Sequence, residues 1–390
     1  MKRSTPLFPF AVVVVVAAAC QSAPPVPPGF EARTDAVPLR PELGERLVEG
    51  EAAVLEDTRQ TLLQLVESKH QHGNDSRDVH AKGHGCARGR FVVDADVPAE
   101  LRHGLFAAAA GYDAVVRFST SEPLPGGDDW NPSLKGAALK VRGVSGEHFA
   151  LDDEADTQDF VFNNRPAFPL RDIVDYTAAM HVRRDGGLVA AGFALTHLYA
   201  VPGLLIEQNL IGSPLRTSYF SQTPIAVGDV VAKMALRPCV VRDNGVPTVR
   251  SKAHGKDYLS QAVSKHLSSA SACFDFLVQS RPVAAQGDGQ RAEQIERVFP
   301  VENAAVVWPE SEAPYVRVAR LTLPAQAIDD SAWTASCDAL HFTPWHSVVA
   351  HQPLGSLNRG RRMVYEVLSR YRAAHERHQP STSTSTPAAP

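Results

Sequence analysis

Short runs of β-branched and aromatic residues dominate the chain between residues 90 and 163. Four of them cover residues 90–93, 114–120, 137–141 and 159–162. Segments rich in glycine and aspartate separate the runs, as at residues 125–129. Apolar runs of this length, bounded by turn-forming residues, are typical of neighbouring strands. This part of the chain therefore predicts an antiparallel sheet.

Helical and strand-like segments share the rest of the chain. Apolar residues recur at helical spacing from Leu43 to Val66, and residues 187–211 look helical with an interruption at Pro202 and Gly203. A basic helix is predicted over residues 357–375. Further strands are predicted near residues 227–236, 274–278 and 316–323. The pattern indicates the α+β class, with a single domain over residues 43–378.

The charge balance excludes one large class of function. The chain has 390 residues, with 39 Lys and Arg against 43 Asp and Glu and a formal net charge of −4. Nucleic-acid-binding proteins normally carry a strong basic excess, so no nucleic-acid partner is expected. A hydrophobic content of 44% also excludes wholesale disorder.

The first twenty residues predict an export signal. Lys2 and Arg3 precede an apolar run over residues 7–19, which is too short for a membrane-spanning helix. The run ends in small residues followed by Cys20, which resembles a bacterial lipoprotein cleavage box. Lipidation of Cys20 would tether the protein to a membrane, whereas a plain signal peptide with a chance cysteine is the alternative. In either case, the chain is expected to be exported, as a periplasmic protein or a membrane-anchored lipoprotein.

The composition at both ends of the mature chain predicts segments that do not contribute to a hydrophobic core. Residues 21–42 contain six prolines and indicate an extended linker. Residues 379–390 alternate serine and threonine before proline and alanine, which indicates a disordered tail. Four cysteines remain in the body, and in an oxidising compartment they could form two disulfides or none: Cys86, Cys239, Cys273 and Cys337.

The closing helix carries an unusual combination of side chains. Arg361, Tyr365 and Arg372 are spaced four and seven residues apart, which places them within roughly 40° of one another on one helical face. An adjacent guanidinium favours the ionised form of a phenol, and a phenolate is a hard anionic ligand for ferric iron. Tyr371 lacks such a partner, because Val367 stands four residues before it. The alternative is a solvated basic face.

Two further segments carry candidate site residues. His80 lies in the run HAKGHG, where Gly83 and Gly85 would let the backbone approach a large flat ligand closely. Asn163 precedes a turn that contains Pro166, a position where asparagine is most often only a turn former. A zinc cluster is an alternative for the first segment, although its spacing matches no closed structural zinc pattern. The residues for such a cluster would be His70, His72, His80, His84 and Cys86.

Taken together and in this order, these segments resemble the catalase superfamily, and in particular the small catalase-related haem proteins of bacteria. The resemblance covers nearly the whole body of the chain. Further runs that carry it are residues 117–120, 213–215, 219–224, 306–309, 344–346 and 351–359. It implies an antiparallel β-barrel surrounded by helices, with haem, expected to be haem b, buried between the barrel and the C-terminal helix.

The resemblance also implies roles for individual residues. His80 and Asn163 match the catalytic histidine and asparagine on the distal side of the haem, and Ser119 matches a serine bonded to the far nitrogen of that histidine. Tyr365 matches the axial iron ligand, with Arg361 bonded to its oxygen.

Five more positions match residues that contact the haem. Arg77, Arg117 and Arg372 fall where the family has its propionate-binding arginines, a task suited to permanently charged guanidinium groups. Val79 matches the small residue that narrows the distal channel, and Phe168 matches the distal aromatic residue.

The implied activity is decomposition of hydrogen peroxide, with organic peroxides or donors as further substrates. Departures from the large enzymes stand at His84, Cys86, Pro169, Tyr176 and Ser369, and they would alter the channel. The same fold hosts coral allene oxide synthase, so rearrangement of a fatty-acid hydroperoxide is an alternative. A haem-binding surface protein without turnover is another. The sequence leaves the oligomeric state open.

Overall fold

A computed structural model describes residues 28–30, 38–71, 79–121, 127–129, 133–149, 156–200, 211–239 and 255–376. The predicted export signal with Cys20, most of the predicted linker, Arg77, and the predicted tail lie outside the described residues. Within the described ranges, no helix is long and apolar enough to cross a membrane.

The centre of the fold is one antiparallel sheet of nine strands. The strands are β1 (Lys82–Val93), β2 (Gly111–Thr120), β3 (Lys135–Arg142), β4 (Thr157–Asn163), β5 (Tyr219–Phe220), β6 (Ile225–Val227), β7 (Val230–Pro238), β8 (Ala272–Ser280) and β9 (Tyr315–Leu323). The four predicted runs between residues 90 and 163 lie in β1 to β4. The predicted antiparallel sheet is confirmed.

The sheet closes into a barrel. Its strand order is β5-β4-β3-β2-β1-β9-β8-β7-β6, and β5 also pairs with β7. Eight strands therefore form a closed ring, and β6 extends β7 as a hairpin outside it. Closure removes the unpaired edges that an open sheet would expose. The predicted barrel is thus confirmed as well.

Aromatic side chains fill much of the barrel core. Phe276 lies at their centre, with its ring centroid 4.7 Å from that of Phe160 and 5.3 Å from that of Phe91, both in edge-to-face geometry. Phe106 and Phe162 pack on the same ring at 5.7 and 6.1 Å. Such edge-to-face pairs add to the stabilisation that burial of the rings supplies.

Within the described residues, seven α-helices surround the barrel. They are α1 (Glu51–Gln71), α2 (Ile173–Asp185), α3 (Gly187–Thr196), α4 (Tyr258–Leu267), α5 (Gly289–Val298), α6 (Ser331–Ala339) and α7 (Ser356–Glu376). Short 3-10 helices lie at Pro41–Leu43, Ala99–Leu101, Gly104–Phe106, Pro214–Arg216 and Val349–His351.

The helix boundaries correct two details of the sequence analysis. The predicted lead-in helix begins at Glu51 and not at residue 43. Of the helix predicted over residues 187–211, the part that begins at residue 187 ends at Thr196, and residues 201–210 lie outside the described residues. Helix α2 was not predicted. Its start is nevertheless encoded locally, since the Asp172 carboxylate accepts hydrogen bonds from the backbone N–H groups of Val174 and Asp175, both at 3.0 Å.

Helices α1, α2 and α7 form a separate layer that positions the closing helix. Leu63 of α1 and Val367 of α7 are buried in one apolar cluster. Gly360 lets α7 approach α2 closely, because a Cβ at this position would lie 2.4 Å from the Ile173 side chain. At the start of α7, Arg359 forms ion pairs with Glu45 at 2.7 Å and Glu51 at 2.6 Å. These contacts fix α7 against the rest of the fold.

The four cysteines of the body form two disulfides. Cys86 of β1 is bonded to Cys337 of α6, and Cys239 after β7 is bonded to Cys273 of β8. The pairs are separated by 251 and 34 residues. The first bond therefore joins the strand that follows His80 to the segment that precedes α7.

We expect the long-range disulfide to contribute more stability than the short-range one. In a chain-entropy description, the ratio of loop lengths makes the Cys86–Cys337 bond worth roughly 2 kcal/mol more. Chemical denaturation of Cys86→Ser/Cys337→Ser and of Cys239→Ser/Cys273→Ser would measure the difference. Equal losses in the free energy of unfolding would contradict this expectation.

Candidate active site

The His80 side chain is held from two directions. Its Nδ1 lies 3.1 Å from the Ser119 hydroxyl oxygen. Its ring lies against Gly136 of β3, where a Cβ would come within 2.6 Å of Cε1. Only a glycine at position 136 permits this close approach. Because Ser119 engages Nδ1, Nε2 is the ring nitrogen that is left for a substrate.

The imidazole of His80 is held in its neutral form. Burial is the largest cause and the positive charges of Arg117, Lys135 and Arg361 add to it, so that the pKa of His80 falls to about 3. A neutral imidazole can accept a proton at ordinary pH. The influence of Arg361, a residue of α7, also shows that the two ends of the folded body meet at one site.

Asn163 ends β4 and belongs to a chain of amide hydrogen bonds. Its Nδ2 donates to Gln222 Oε1 at 2.8 Å, and Gln222 Nε2 donates to the backbone oxygen of Ala167 at 2.8 Å. A backbone oxygen can only accept, so Gln222 must direct its amide nitrogen to Ala167 and its oxygen to Asn163. This arrangement fixes which way the Asn163 amide points.

The oxygen of the Asn163 amide is buried and can accept a hydrogen bond. Asn163 Oδ1 has no hydrogen-bond partner among the described residues. A buried polar atom in this condition is costly unless a ligand or water satisfies it. A side-chain hydrogen bond with Asn163 also raises the pKa of His80 against the larger effect of burial, so the two side chains are adjacent.

Gln222 is the site residue that the sequence analysis missed. It lay within residues 219–224, which carried the resemblance, but it received no role. Gln222 and His80 are the two non-glycine residues with positive φ among those the structure describes, at 62° and 56°. Such backbone strain concentrates at functional sites. No sequence pattern reports it, since neither residue type favours this conformation.

Two arginines of the predicted haem contacts lie close together. Arg117 of β2 is buried, and its Nη2 donates to the backbone oxygen of His80 at 3.2 Å. Burial lowers the pKa of Arg117 to about 10; the positive charge of Arg372 acts in the same direction, and the Asp338 carboxylate opposes it. Two guanidinium groups within electrostatic reach of each other form a site for carboxylates. The third predicted arginine, Arg77, lies outside the described residues.

Helix α7 brings Arg361 within electrostatic reach of His80 and carries Tyr365 one turn further along. Arg361 Nη1 donates to Thr223 Oγ1 at 2.8 Å and to Asn358 Oδ1 at 3.1 Å. Burial, reinforced by Tyr365, raises the pKa of Tyr176 to about 12, while Arg361 opposes the change. The predicted hydrogen bond from Arg361 to the Tyr365 oxygen remains a prediction, as does iron ligation by Tyr365.

The remaining predicted positions lie at the border of the site. Val79 is exposed next to His80, and the Phe168 ring lies 6.5 Å from that of Tyr176. Their roles in the channel and beside the haem stay predictions. The zinc alternative finds no support, since the described residues contain no group of three or more potential metal ligands and Cys86 is bonded to another cysteine.

The site thus combines a neutral imidazole, an oriented amide, the buried Arg117 under the electrostatic influence of Arg372, and a tyrosine-bearing helix at one end of a closed barrel. Residues 44–187 match the family model for catalase. Catalase T of Saccharomyces cerevisiae, from strains YJM789 and S288c, is 34% identical over 125 residues, which is 32% of this chain and 20% of that protein.

Solved structures with the same fold are also catalases. A fungal catalase has a TM-score of 0.61 at 19% identity, with 82% of this chain and 63% of that chain covered. Catalase A from Saccharomyces cerevisiae has a TM-score of 0.61 at 19% identity, and the match covers 81% of this chain and 65% of that chain. A bacterial catalase has a TM-score of 0.60 at 18% identity, and the match covers 81% of this chain and 61% of that chain.

The fold defines a β-barrel protein of the catalase type. The sequence match over residues 44–187 adds a likeness to the catalase family for that part of the chain. The matched region spans about a fifth of the curated catalases, and the chain covers less than two thirds of each of these solved ones.

The residues present fit the haem that catalases normally bind. Arg117 with Arg372 provides positive charge where propionate carboxylates would lie. Asn163 Oδ1 of the barrel is buried without a hydrogen-bond partner among the described residues, and α7 carries Tyr365 as the candidate iron ligand. When bound, the haem would be held by these groups.

The amide chain predicts an effect of Gln222→Met. Methionine retains the volume but can neither hold Asn163 nor donate to Ala167, so the Asn163 amide should lose its orientation. We expect a severalfold to about hundredfold loss of kcat with an altered azide affinity and an unchanged Soret band. Stopped-flow assays and azide titration would measure this.

Gln279→Met is the matched control for this variant. Gln279 is equally buried and donates two hydrogen bonds, to the backbone oxygens of Trp308 at 3.2 Å and Ala313 at 2.8 Å. It lies outside the site. If both variants lose kcat and azide affinity alike, the role assigned to Gln222 is wrong.

Proposed function

We propose that the chain is a haem-dependent enzyme that decomposes hydrogen peroxide. The observation that supports the proposal is that a neutral His80 and an oriented Asn163 from the barrel lie within electrostatic reach of Arg361 from α7, the helix that also carries Tyr365. Bound haem would supply the redox chemistry of its iron. The residues of the chain would bind, orient and protonate the peroxide.

His80 has the properties of the group that moves the proton. Its neutral imidazole would take a proton at Nε2 from one peroxide oxygen and return it to the other. The second oxygen would then leave as water, which is a better leaving group than hydroxide. Ser119 keeps Nδ1 occupied during this transfer, so the ring retains its tautomer and orientation.

Asn163 would align the peroxide for this transfer. Its Oδ1 is free to accept from a peroxide O–H, and one hydrogen on Nδ2 remains after the bond to Gln222. An amide held in one orientation costs no reorganisation when the substrate enters. Tyr365 would supply its phenol oxygen to the iron. Arg361, one helical turn away, would supply a positive charge.

The finer specificity is also part of the proposal. Organic peroxides or donors would make the enzyme a peroxidase, and a fatty-acid hydroperoxide would make it a rearranging enzyme. An oxygen electrode on hydrogen peroxide, a donor-dye assay, and turnover of a fatty-acid hydroperoxide without reductant separate these outcomes. Bound haem with no activity in all three would contradict the proposed function.

We further propose that the protein acts outside the cytoplasm, tethered through Cys20. The two disulfides support an oxidising compartment, because such bonds persist chiefly in exported proteins. Metabolic labelling with a radioactive fatty acid, compared with Cys20→Ser, tests the tether.

Two substitutions separate the proposed ligand from the proposed catalyst. Tyr365→Phe should lose or loosen haem, since phenylalanine offers no oxygen to iron. His80→Ala should keep haem but lose about 10²–10⁴-fold in peroxide cleavage. Soret absorbance and stopped-flow kinetics measure the two effects. Tyr371→Phe is the control on the same helix, and a haem loss equal to that of Tyr365→Phe would contradict the ligand assignment.

The pKa of His80 predicts the pH dependence of turnover. An ordinary histidine protonates near pH 6.5, but the pKa of His80 is about 3 because burial disfavours its charged form. We therefore expect kcat to stay constant from pH 8 down to about pH 5. A fall in kcat with a midpoint near pH 6.5 would show that the base is another group.

A further inference from the structure

Helix α3 contains no charged side chain, and its surroundings in the sequence are equally apolar. From residue 186 to residue 206 the chain has no Asp, Glu, Lys or Arg. A helix that is apolar on all sides is ordinarily buried in a protein core or in lipid. Yet none of the residues in α3 is buried.

Three leucines form the most exposed part of this element. Leu188 is 91% exposed, Leu195 76%, and Leu198, just beyond the helix end, 69%. Leu188 and Leu195 are seven residues apart and therefore share one helical face. Contiguous exposed apolar groups of this kind mark interaction sites. We call these three residues the leucine surface.

The leucine surface is held in place by polar contacts at its base. His197 Nε2 lies 3.2 Å from an Asp175 carboxylate oxygen of α2, and the Tyr199 hydroxyl donates to the same carboxylate. The Arg171 guanidinium lies 4.5 Å from the centre of the Tyr199 ring. Phe193 stacks on His197 at 4.0 Å. These contacts direct the polar groups inward and leave the leucines outward.

We propose that the leucine surface lies on a lipid bilayer, with the leucines inserted at the boundary between headgroups and acyl chains. Helix α3 has ten residues and is about 15 Å long, which is half of what a membrane crossing requires. It therefore suits a helix that lies in the interface and does not span it.

The place where the N-terminal segment joins the fold supports a lipid bilayer as the partner of the leucine surface. The Phe30 backbone oxygen accepts from Arg59 of α1 at 3.0 Å, and Arg184 at the end of α2 donates to Thr61 and Gln64 of the same helix at 3.1 and 3.0 Å. Ten residues separate Cys20 from Phe30 and span at most about 36 Å. The proposed anchor and the leucine surface can thus reach one membrane.

Size and charge favour lipid over a second copy of the chain. A helix of this length, about 10 Å wide, projects an area on the order of 150 Å², whereas stable protein interfaces bury about 800 Å² per partner. Exposed Arg183 stands at the junction of α2 and α3. A cation beside an apolar surface is suited to anionic phospholipid headgroups. The inference uses the proposed anchor at Cys20 but not the proposed peroxide chemistry.

Vesicle binding by the chain without residues 1–20 tests the inference, because neither the apolar run at residues 7–19 nor a lipid on Cys20 can then contribute. Co-sedimentation with phosphatidylcholine vesicles is measured with and without phosphatidylglycerol. We expect binding that phosphatidylglycerol strengthens. Leu188→Gln/Leu195→Gln/Leu198→Gln should weaken the partition coefficient at least about tenfold, since three apolar side chains are removed from lipid.

A matched variant controls for general loss of surface hydrophobicity. Leu47, Val283 and Val307 are 63%, 85% and 53% exposed elsewhere on the fold, and their replacement by glutamine should leave binding unchanged. Absence of vesicle binding, or equal weakening in both triple variants, would overturn the proposal. A change from dimer to monomer in the α3 variant, with vesicle binding unchanged, would assign the leucine surface to a second copy instead. Oxygen evolution by the same preparations tests the proposed reaction separately.

Discussion

The barrel closes through a strand of only two residues. Phe220 of β5 pairs with Asn163 of β4, and both residues of β5 pair with β7. The chain runs directly out of this strand into Gln222 and Thr223, which contact Asn163 and Arg361. Barrel closure and orientation of the site therefore depend on the same short segment. The flanking pairs hold Gln222 in its unusual backbone conformation, which an unsupported loop would relax.

Positive charge surrounds the neutral imidazole. Arg117, Lys135 and Arg361 all act on His80, and burial enlarges their effect because little water screens them. Such an arrangement disfavours a protonated histidine and favours bound anions at the same time. The charge that suits the site to carboxylates thus also keeps the imidazole of His80 unprotonated. The helix that carries Arg361 is fixed from outside, through the ion pairs of Arg359 with Glu45 and Glu51.

Regular parts of the fold could be predicted from the sequence, and irregular parts could not. Strands β1 to β4 show as apolar runs between turns, and α7 as a basic amphipathic helix. Barrel closure could not be derived from residue patterns, since two residues in β5 are too few to show a period. His80, Asn163 and Tyr365 were singled out because their segments occur together and in the order seen in the catalase superfamily, although each segment alone is weak evidence. Gln222 has no such motif, and its role depends on a backbone angle and on partners distant in the chain.

The apolar character of α3 was visible in the sequence, but its exposure was not. A run such as residues 187–196 predicts a helix and leaves open whether it is buried. Exposure follows from tertiary contacts, because His197 and Tyr199 bind Asp175 and turn the leucines away from α2. A short apolar helix alone binds lipid weakly. An anchor at Cys20 would raise its effective concentration at the membrane, so that three leucines suffice to orient the barrel there.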